Sequence, residues 1–343
     1  MEIKQAIDAL SRYGHLTVEQ AESVMEQIMT GGATETQIGA YLMALRMKGE
    51  SIEEITGSAI AMRKAAAKVP TNVDADLLDP VGTGGDKSGT FNISTTSAFV
   101  AAGAGIPVAK HGNRAATSKC GSADVLAELG LNLDLSPEQV GRCIDEIGIG
   151  FMFAVKMHPA MRHAIGPRRE LGIRTIFNIL GPLTNPAGAQ RMFIGVFAHE
   201  MTDLLAQVLK LLGAKSAMVV NGYGGLDELT VTGPNRISYL QEDGAITHLD
   251  IDPTELGFHM ASINDLKGDD APTNAAILRA VLDGSDRGPK RDIVLLNAGA
   301  AIMAAGRAHS IADGIVLARD SLNSGRALQK LDNLIEMSQS LAS

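Results

Sequence analysis

The sequence predicts an α/β protein: a small all-helical N-terminal domain over residues 1–70 and a larger α/β domain with a largely parallel central sheet over residues 71–343. Three observations carry this reading. Four apolar stripes at helical spacing fill the first 70 residues, each bounded by a cap or a glycine. Beyond them, short apolar runs alternate with helical stretches, the pattern of strands covered on both faces by helices. The chain has 343 residues and is 45% apolar, whereas single cores rarely grow beyond roughly 250 to 300 residues.

Ile3, Ala6, Ile7 and Leu10 share one helical face ahead of Gly14. Thr17 with Gln20 forms a capping-box pattern before Ala21, Val24, Met25 and Ile28, and Gly31-Gly32 ends that element. A third stripe, Ile38, Tyr41, Leu42 and Leu45, stops at Gly49. Ser51 with Glu54 repeats the capping signature before Ile55, Ala59, Met62 and Ala66, and Pro70 closes the region. Four short helices of this kind carry more apolar face than they can bury on one another, which points to a partner surface or subunit contact.

Residues 77–81, 106–109, 151–155, 192–196 and 217–220 then read as buried strands, with helices at 94–102, 123–129, 137–147 and 200–212. The tail from 273 to 340 is again mostly helical, and 297–305 is its most apolar part. The stretch 156–186, rich in Pro and Arg, is the expected crossing between domains, with part of it packing on the helical domain.

A formal net charge of -9 and a pI near 5.4 argue against general affinity for nucleic acid, and 3% aromatics with no Trp leave few platforms for stacking bases. An anionic ligand must therefore be caught by a few placed cations. Cys120 and Cys143 cannot form a disulfide framework in so long a chain and no CxxC is present, so a reducing compartment is expected. The opening residues lack the apolar core of a signal peptide and no run of 18 apolar residues occurs, so the expected location is cytoplasmic.

Chemistry is concentrated in residues 79–122, which combine close-approach glycines, hydroxyls, amides and cations, as a phosphorylated sugar requires. The turn Val81-Gly82-Thr83-Gly84-Gly85-Asp86 follows a strand, where glycines permit positive φ and close approach of backbone N–H groups to an anion. A plain tight turn uses the same residues, and the segment is neither a GxxxxGK[ST] loop nor a GxGxxG fingerprint. Thr90, Asn92, Ser94 and Thr95 follow directly and open a helix, whose N-terminus favours a phosphate. Ser94 adds a metal-ligating hydroxyl there; the competing account makes Asn92 or Ser94 a simple N-cap.

Lys110-His111-Gly112-Asn113-Arg114 comes just after the strand at 106–109, so its side chains are expected at a strand's C-terminal end, where ligands of open α/β sheets bind. With Thr117, Ser118, Lys119 and Ser122 behind it, the segment reads as a mobile anion clamp rather than solvated surface. His111 has the side chain of a general base, but beside Lys110 and Arg114 a hydrogen-bonding role is the stronger reading. Arg168 and Arg169 offer forked donors to a planar carboxylate, unless an ion pair with Glu170 or Asp145 occupies them. Asp227-Glu228, after Gly224-Gly225 and the strand at 217–220, suits Mg²⁺, which prefers oxygen ligands and bridges phosphates; exposed surface charge is the alternative.

Jointly, GTGGD at 82–86, NIST at 92–95, KHGNR at 110–114, GPRRELGIRT at 166–175, ILGPLTNP at 179–186 and DE at 227–228 resemble the anthranilate phosphoribosyltransferase family over nearly the whole chain. The resemblance implies the nucleoside phosphorylase/phosphoribosyltransferase-like fold. It also implies transfer of phosphoribosyl from 5-phosphoribosyl 1-pyrophosphate (PRPP) to the amine of anthranilate, in tryptophan biosynthesis. By the same resemblance, Gly82, Gly85, Asp86, Thr90, Asn92, Ile93, Ser94, Thr95, Lys110, Ser118 and Ser122 would bind PRPP, while Gly82, Asn113 and Arg168 would meet anthranilate. Ser94 and Glu228 would hold one Mg²⁺, and Asp227 with Glu228 a second.

The same family likeness implies transition-state stabilisation by Lys110 and Mg²⁺ with no protein nucleophile, a homodimer through the helical domain, and association with an anthranilate synthase as an open question. One departure is Thr117, where the family leads one to expect Ser before Ser118. Two alternatives are a pyrimidine nucleoside phosphorylase-like enzyme, whose lysine-serine-glycine-glycine signature is not found, and a nucleic-acid-binding paralogue, which the net charge of -9 disfavours.

Overall fold

The computed structural model describes residues 1–115 and 118–341, so Thr117 lies outside the described residues. Helices α1 (Ile3–Ser11), α2 (Val18–Met29), α3 (Glu35–Lys48) and α4 (Ile52–Ala65) make the N-terminal bundle. Their starts are fixed by reciprocal capping: Thr17, Thr34 and Ser51 accept the backbone N–H three residues on, and Gln20, Gln37 and Glu54 return the bond. Gly49 ends α3 at a φ of 87°, which only glycine adopts without strain. The helices bury the apolar stripes against each other, and α4 presses closely on α2 because Gly57 leaves no side chain between it and the Val18 carbonyl.

One ion pair is sealed inside this bundle. Lys48 Nζ lies 2.9 Å from Glu54 Oε2, with side chains only 3% and 0% exposed. Glu54 also accepts the N–H groups of Leu16 and Ser51, so a single carboxylate joins the α1–α2 connection to the start of α4.

The larger domain runs β1 (Leu78–Gly82), α5 (Ile93–Gly103), β2 (Val108–Gly112), α6 (Ser122–Glu128), α7 (Pro137–Ile147), β3 (Ile149–Phe153), α8 (Ala154–Met157), α9 (Arg162–Leu171), α10 (Phe177–Leu180), β4 (Arg191–Gly195), α11 (Met201–Leu211) and β5 (Ser216–Asn221). Then come β6 (Asn235–Leu240), β7 (Ile246–Ile251) and helices α12 (Ala271–Leu282), α13 (Pro289–Ala304), α14 (Ile311–Asn323) and α15 (Arg326–Ser340). The seven strands form one sheet in the order β3-β2-β1-β4-β5-β6-β7, with β1 to β5 parallel and β6 and β7 antiparallel. Helix α5 is buried almost all round, packed by α13, α14 and α15.

Three expectations need correction. Strand β2 covers 108–112 rather than 106–109, because Lys110 and His111, though polar, find partners inside the sheet. Strand β3 covers 149–153 rather than 151–155, and Val155 is exposed on the following helical turn. The β6–β7 hairpin is absent from the sequence expectations: its strands carry Arg236, His248 and Asp250 toward one face, so no continuous apolar run announces them.

The crossing segment 156–186 is largely helical, with α9 packed on α2 and α3, and α10 on α4. Backbone bonds stitch it to the end of the bundle: Ala67 N–H donates to Met157 O at 2.9 Å and Val69 N–H to Pro186 O at 3.2 Å. The Arg63 guanidinium donates to Leu183 O at 2.7 Å and to Leu212 O at 3.2 Å. No helix among the described residues is long and apolar enough to cross a membrane.

Removing one member of a buried ion pair strands the other. Glu54→Ala is expected to lower unfolding free energy by about 3–5 kcal/mol, measured by urea titration with a two-state fit. A change below about 1 kcal/mol, the range of exposed pairs, would contradict the structural weight given to this carboxylate.

Candidate functional site

The five parallel strands end on one rim at Gly82, Gly112, Phe153, Gly195 and Asn221. Above it, the loop after β5 folds back so that the Asp227 carboxylate reaches the turn after β1: Gly84 N–H donates to Asp227 Oδ2 at 2.6 Å. A Cβ on Gly82 would sit 2.7 Å from the same oxygen, and one on Gly195 would overlap the Asp227 carbonyl. These glycines are required for that contact, a tighter condition than turn conformation alone. Gly84 and Gly85 take positive φ (70° and 79°), a conformation glycine adopts without strain, and the Gly84 N–H meets Asp227.

The acidic loop is fastened from beneath by residues that no sequence motif marks. Asn221 Nδ2 donates to Val196 O at 2.6 Å. The fully buried Asn297 of α13 accepts Leu229 N–H at 2.9 Å and donates back to Leu229 O at 2.7 Å. Glu228, 8% exposed, accepts the Ser94 backbone N–H at 3.0 Å, so the carboxylate occupies the N-terminus of α5. Ser94 is thereby beside Glu228, and Ile93 and Thr95 are buried in the same first turn.

Asn92 precedes α5 but makes no side-chain cap. Instead it donates to Cys120 O at 3.3 Å and accepts from Asn274 Nδ2 at 3.0 Å, tying three distant segments together. The neighbouring cavity, of about 390 Å³, is lined among others by Gly85, Asp86, Thr90, Ser118, Lys267 and Asn274. Lys267 donates to Ser88 O, and its backbone pairs with Thr90. Lys267 and Asn274 carry no mark in the sequence because they lie 179 and 182 residues from Ser88 and Asn92, outside any local pattern.

Lys110 is 3% exposed within β2, and its ammonium donates to Pro80 O at 2.7 Å. The expected mobile clamp is therefore corrected: its first three residues, Lys110, His111 and Gly112, are part of the sheet. His111 is buried too, its ring 3.1 Å from that of His158. Asn113 is exposed and accepts Arg114 N–H, while Ser122 donates to Asn113 O at 3.2 Å and fills the space that a side chain at Gly112 would need. Arg168, on α9, stacks 5.1 Å above the Phe177 ring and makes no ion pair among the described residues; Asp145 instead accepts from Asn72. Neither Asn113 nor Arg168 lines the 390 Å³ cavity. Arg174, from the same segment, stacks 3.8 Å over Phe197 with its guanidinium against Gly85, a cation at the turn that the sequence reading does not single out.

Electrostatically, burial dominates the charged groups of the rim. Burial, reinforced by Asp86, pushes Asp227 up to about 7, and burial with repulsion from Asp227 pushes Glu228 up to about 8. Burial likewise lowers Lys110, opposed by Asp79 and Glu228. Among the described residues, Asp86 Oδ2 is buried with no hydrogen-bond partner. The donors are carboxylates and hydroxyls only, and among the described residues no three His, Cys, Asp or Glu side chains form a closed metal-binding group. An open, all-oxygen, desolvated acidic set fits a hard divalent cation that completes its shell with water or ligand oxygens.

The histidine pair yields a pH prediction. Burial holds His111 down to about 3, with His158 contributing, and holds His158 down to about 4, both from an ordinary 6.5. Both rings stay neutral in the fold but take up protons in the unfolded chain as pH falls below about 6.5. Their contribution to stability is thus complete above about 6.5 and declines as pH falls toward about 4 for His158 and about 3 for His111. Urea denaturation of His158→Gln between about pH 7 and 4.5 should give a shallower acid-side loss than the unsubstituted chain; an unchanged slope would dismiss the pair as its cause.

The helical start and the α/β remainder each match a family description. Residues 4–66 match the helical bundle domain of a glycosyl transferase family, and residues 74–328 match its a/b domain. The anthranilate phosphoribosyltransferase of Geobacter sulfurreducens is 51% identical, with 98% of this chain and 99% of that protein covered. That of Methanocorpusculum labreanum is 52% identical, with 98% of each covered. Among solved structures, anthranilate phosphoribosyltransferase from Thermus thermophilus superposes with a TM-score of 0.92 at 43% identity, covering 97% of this chain and 99% of that one. The Saccharomyces cerevisiae enzyme in complex with PRPP and Mg gives 0.90 at 27% identity over 98% of each chain. At such identity over nearly the whole length of each protein, the chain belongs to the anthranilate phosphoribosyltransferase family.

Proposed function

We propose that this chain transfers the phosphoribosyl group of PRPP to the amine of anthranilate, releasing pyrophosphate and giving N-(5-phosphoribosyl)anthranilate, a step of tryptophan biosynthesis, with Mg²⁺ as cofactor. The observation that carries the reading is the 2.6 Å bond from Gly84 N–H to Asp227 Oδ2, which puts an anion-binding turn and an acidic doublet on one rim. The bond broken is that between the sugar's anomeric carbon and the pyrophosphate oxygen; the bond formed joins that carbon to the amine nitrogen. Positive charge grows on the sugar while negative charge grows on the leaving group.

Gly82, Gly85, Asp86, Thr90, Asn92, Ile93, Ser94, Thr95, Lys110, Ser118 and Ser122 are assigned to PRPP. Lys110 has three N–H donors and uses one on Pro80 O, leaving two for the leaving group inside a dry sheet edge, where charge stabilisation is strongest. Ser94, Asp227 and Glu228 would hold Mg²⁺, two ions per subunit, which supply charge neutralisation of the pyrophosphate when bound. Asn113 and Arg168, with Gly82, are assigned to anthranilate. Arg168 supports that role because its guanidinium is half-buried and free of carboxylate partners among the described residues, ready for the substrate's own carboxylate. The aromatic amine carries its lone pair at neutral pH, so placement rather than a strong base is what the site must provide.

The domain boundary is placed at residue 70, with part of 156–186 counted with the bundle. A homodimer through the helical domain is supported by exposed Met47, Ile165 and Ile173 on or beside α3 and α9, which pack side by side. A cytoplasmic location is supported by the two free, buried cysteines. Association with an anthranilate synthase is left to direct pull-down.

Purified protein, Mg²⁺, PRPP and anthranilate should give loss of anthranilate fluorescence, and omission of Mg²⁺ should abolish it. Steady fluorescence in the complete mixture, with turnover of thymidine and phosphate instead, would favour the phosphorylase alternative. Asp227→Asn combined with Glu228→Gln should cut kcat by about a hundredfold or more and weaken Mg²⁺ binding in calorimetry, with circular dichroism unchanged. Arg168→Ala should raise the KM for anthranilate by roughly tenfold or more, the loss of one charge-assisted pair, while the KM for PRPP holds.

A further inference from the structure

Two motif residues have no part in the assignments above: Asp79, which opens the glycine-turn stretch, and Asn185, at the end of the crossing segment. Both are buried, at 0% and 7% exposure. They meet where the sheet is least regular. Strand β2 is registered to β3 through five residue pairs and β1 to β4 through five, yet β1 and β2 are registered through Leu78 and Val108 alone.

Beyond that pair, side chains replace the ladder. The His111 backbone N–H, which a continued parallel ladder would give to β1 backbone, donates to Asp79 Oδ1 at 3.1 Å. Asn185 Nδ2 donates to Asp79 Oδ2 at 2.7 Å and to Ala109 O at 2.8 Å, so one amide grips both strands. The Lys110 ammonium reaches across to Pro80 O in β1. The backbone on either side of Lys110, at Ala109 and His111, is thus held by the Asp79–Asn185 pair, and Asp79, with Glu228, supplies opposing charge for the buried ammonium.

We propose that Asp79 and Asn185 are positioning residues for the reaction: they hold the β1–β2 gap open at fixed width so that Lys110 is aimed at the rim. The proposal rests on the phosphoribosyl-transfer reading, because Lys110 is given its task there. It adds that Asn185, carried on the segment that crosses from the helical domain and fastened there by Val69 and Arg63, couples domain packing to the aim of the lysine. Neither residue touches substrate in this account; each acts through Lys110.

A double-mutant cycle with Lys110→Met tests it. In the unsubstituted background, Asp79→Asn and Asn185→Ala should each lower kcat by roughly 10- to 100-fold, the cost of an ångström-scale misplacement, with the KM for anthranilate changed by less than about threefold. In the Lys110→Met background, the same substitutions should lower the remaining kcat by less than about threefold. A general loss of structure would reduce both backgrounds by equal factors, so equal losses overturn the proposal. If Asp79→Asn does not fold, as judged by circular dichroism and Tm, Asn185→Ala carries the cycle. Failure of both to fold would make the pair a folding determinant and also overturn the proposal. Absence of turnover in the unsubstituted protein, by contrast, would sink the reading of the reaction itself and not the geometry of the gap.

Discussion

The contact between the Asp227 carboxylate and the turn after β1 is the constraint on which the rest of the site depends. It brings a carboxylate into a desolvated rim, where burial and repulsion from Asp86 push its pKa up, so it survives only by matching the Gly84 N–H and by the absence of side chains at Gly82 and Gly195. The acidic loop is held on both sides of the doublet: Asn221 donates to Leu226 O, and Asn297 bonds both N–H and O of Leu229. The fold thus holds an unfavourable arrangement of carboxylates in place, and a bound cation would relieve it.

The cationic side of the same rim follows a different rule. Lys110 and His111 lie within a strand and are buried, positions usually reserved for apolar side chains. They are tolerated because each finds specific partners: Pro80 O for the ammonium, Asp79 for the His111 N–H, and His158 for the His111 ring. A network satisfied in this way is rigid. It presents one charge at a fixed place, which suits stabilisation of a leaving group better than a flexible surface lysine would.

Between the domains, the crossing segment does more than connect. Its helices α9 and α10 pack on the bundle, its backbone receives bonds from residues 63–69, and its last turn sends Asn185 into the sheet. Arg168 and Arg174 ride on the same segment, each stacked on an aromatic ring and free of a carboxylate partner among the described residues.

Much of this is legible in the chain. Capping boxes at Thr17 and Ser51, apolar spacing, and glycine stops determine α1 to α4 locally, and α7 has the limits its sequence predicts because Pro137 and Gly148 bracket a clean amphipathic pattern. The turn at 82–86 and the doublet at 227–228 are legible as anion- and cation-seeking groups because their chemistry is local. What the sequence by itself leaves open is anything that depends on partners distant in the chain. The full length of β2, the one-sided β6–β7 hairpin, the support of Asn221, Asn274 and Asn297, and the wedge of Asp79 with Asn185 are decided only by tertiary structure. The physical reason is that a polar residue declares itself buried only when the group that satisfies it, 68 residues away for Asn297 and 106 for Asn185, is brought within hydrogen-bonding distance.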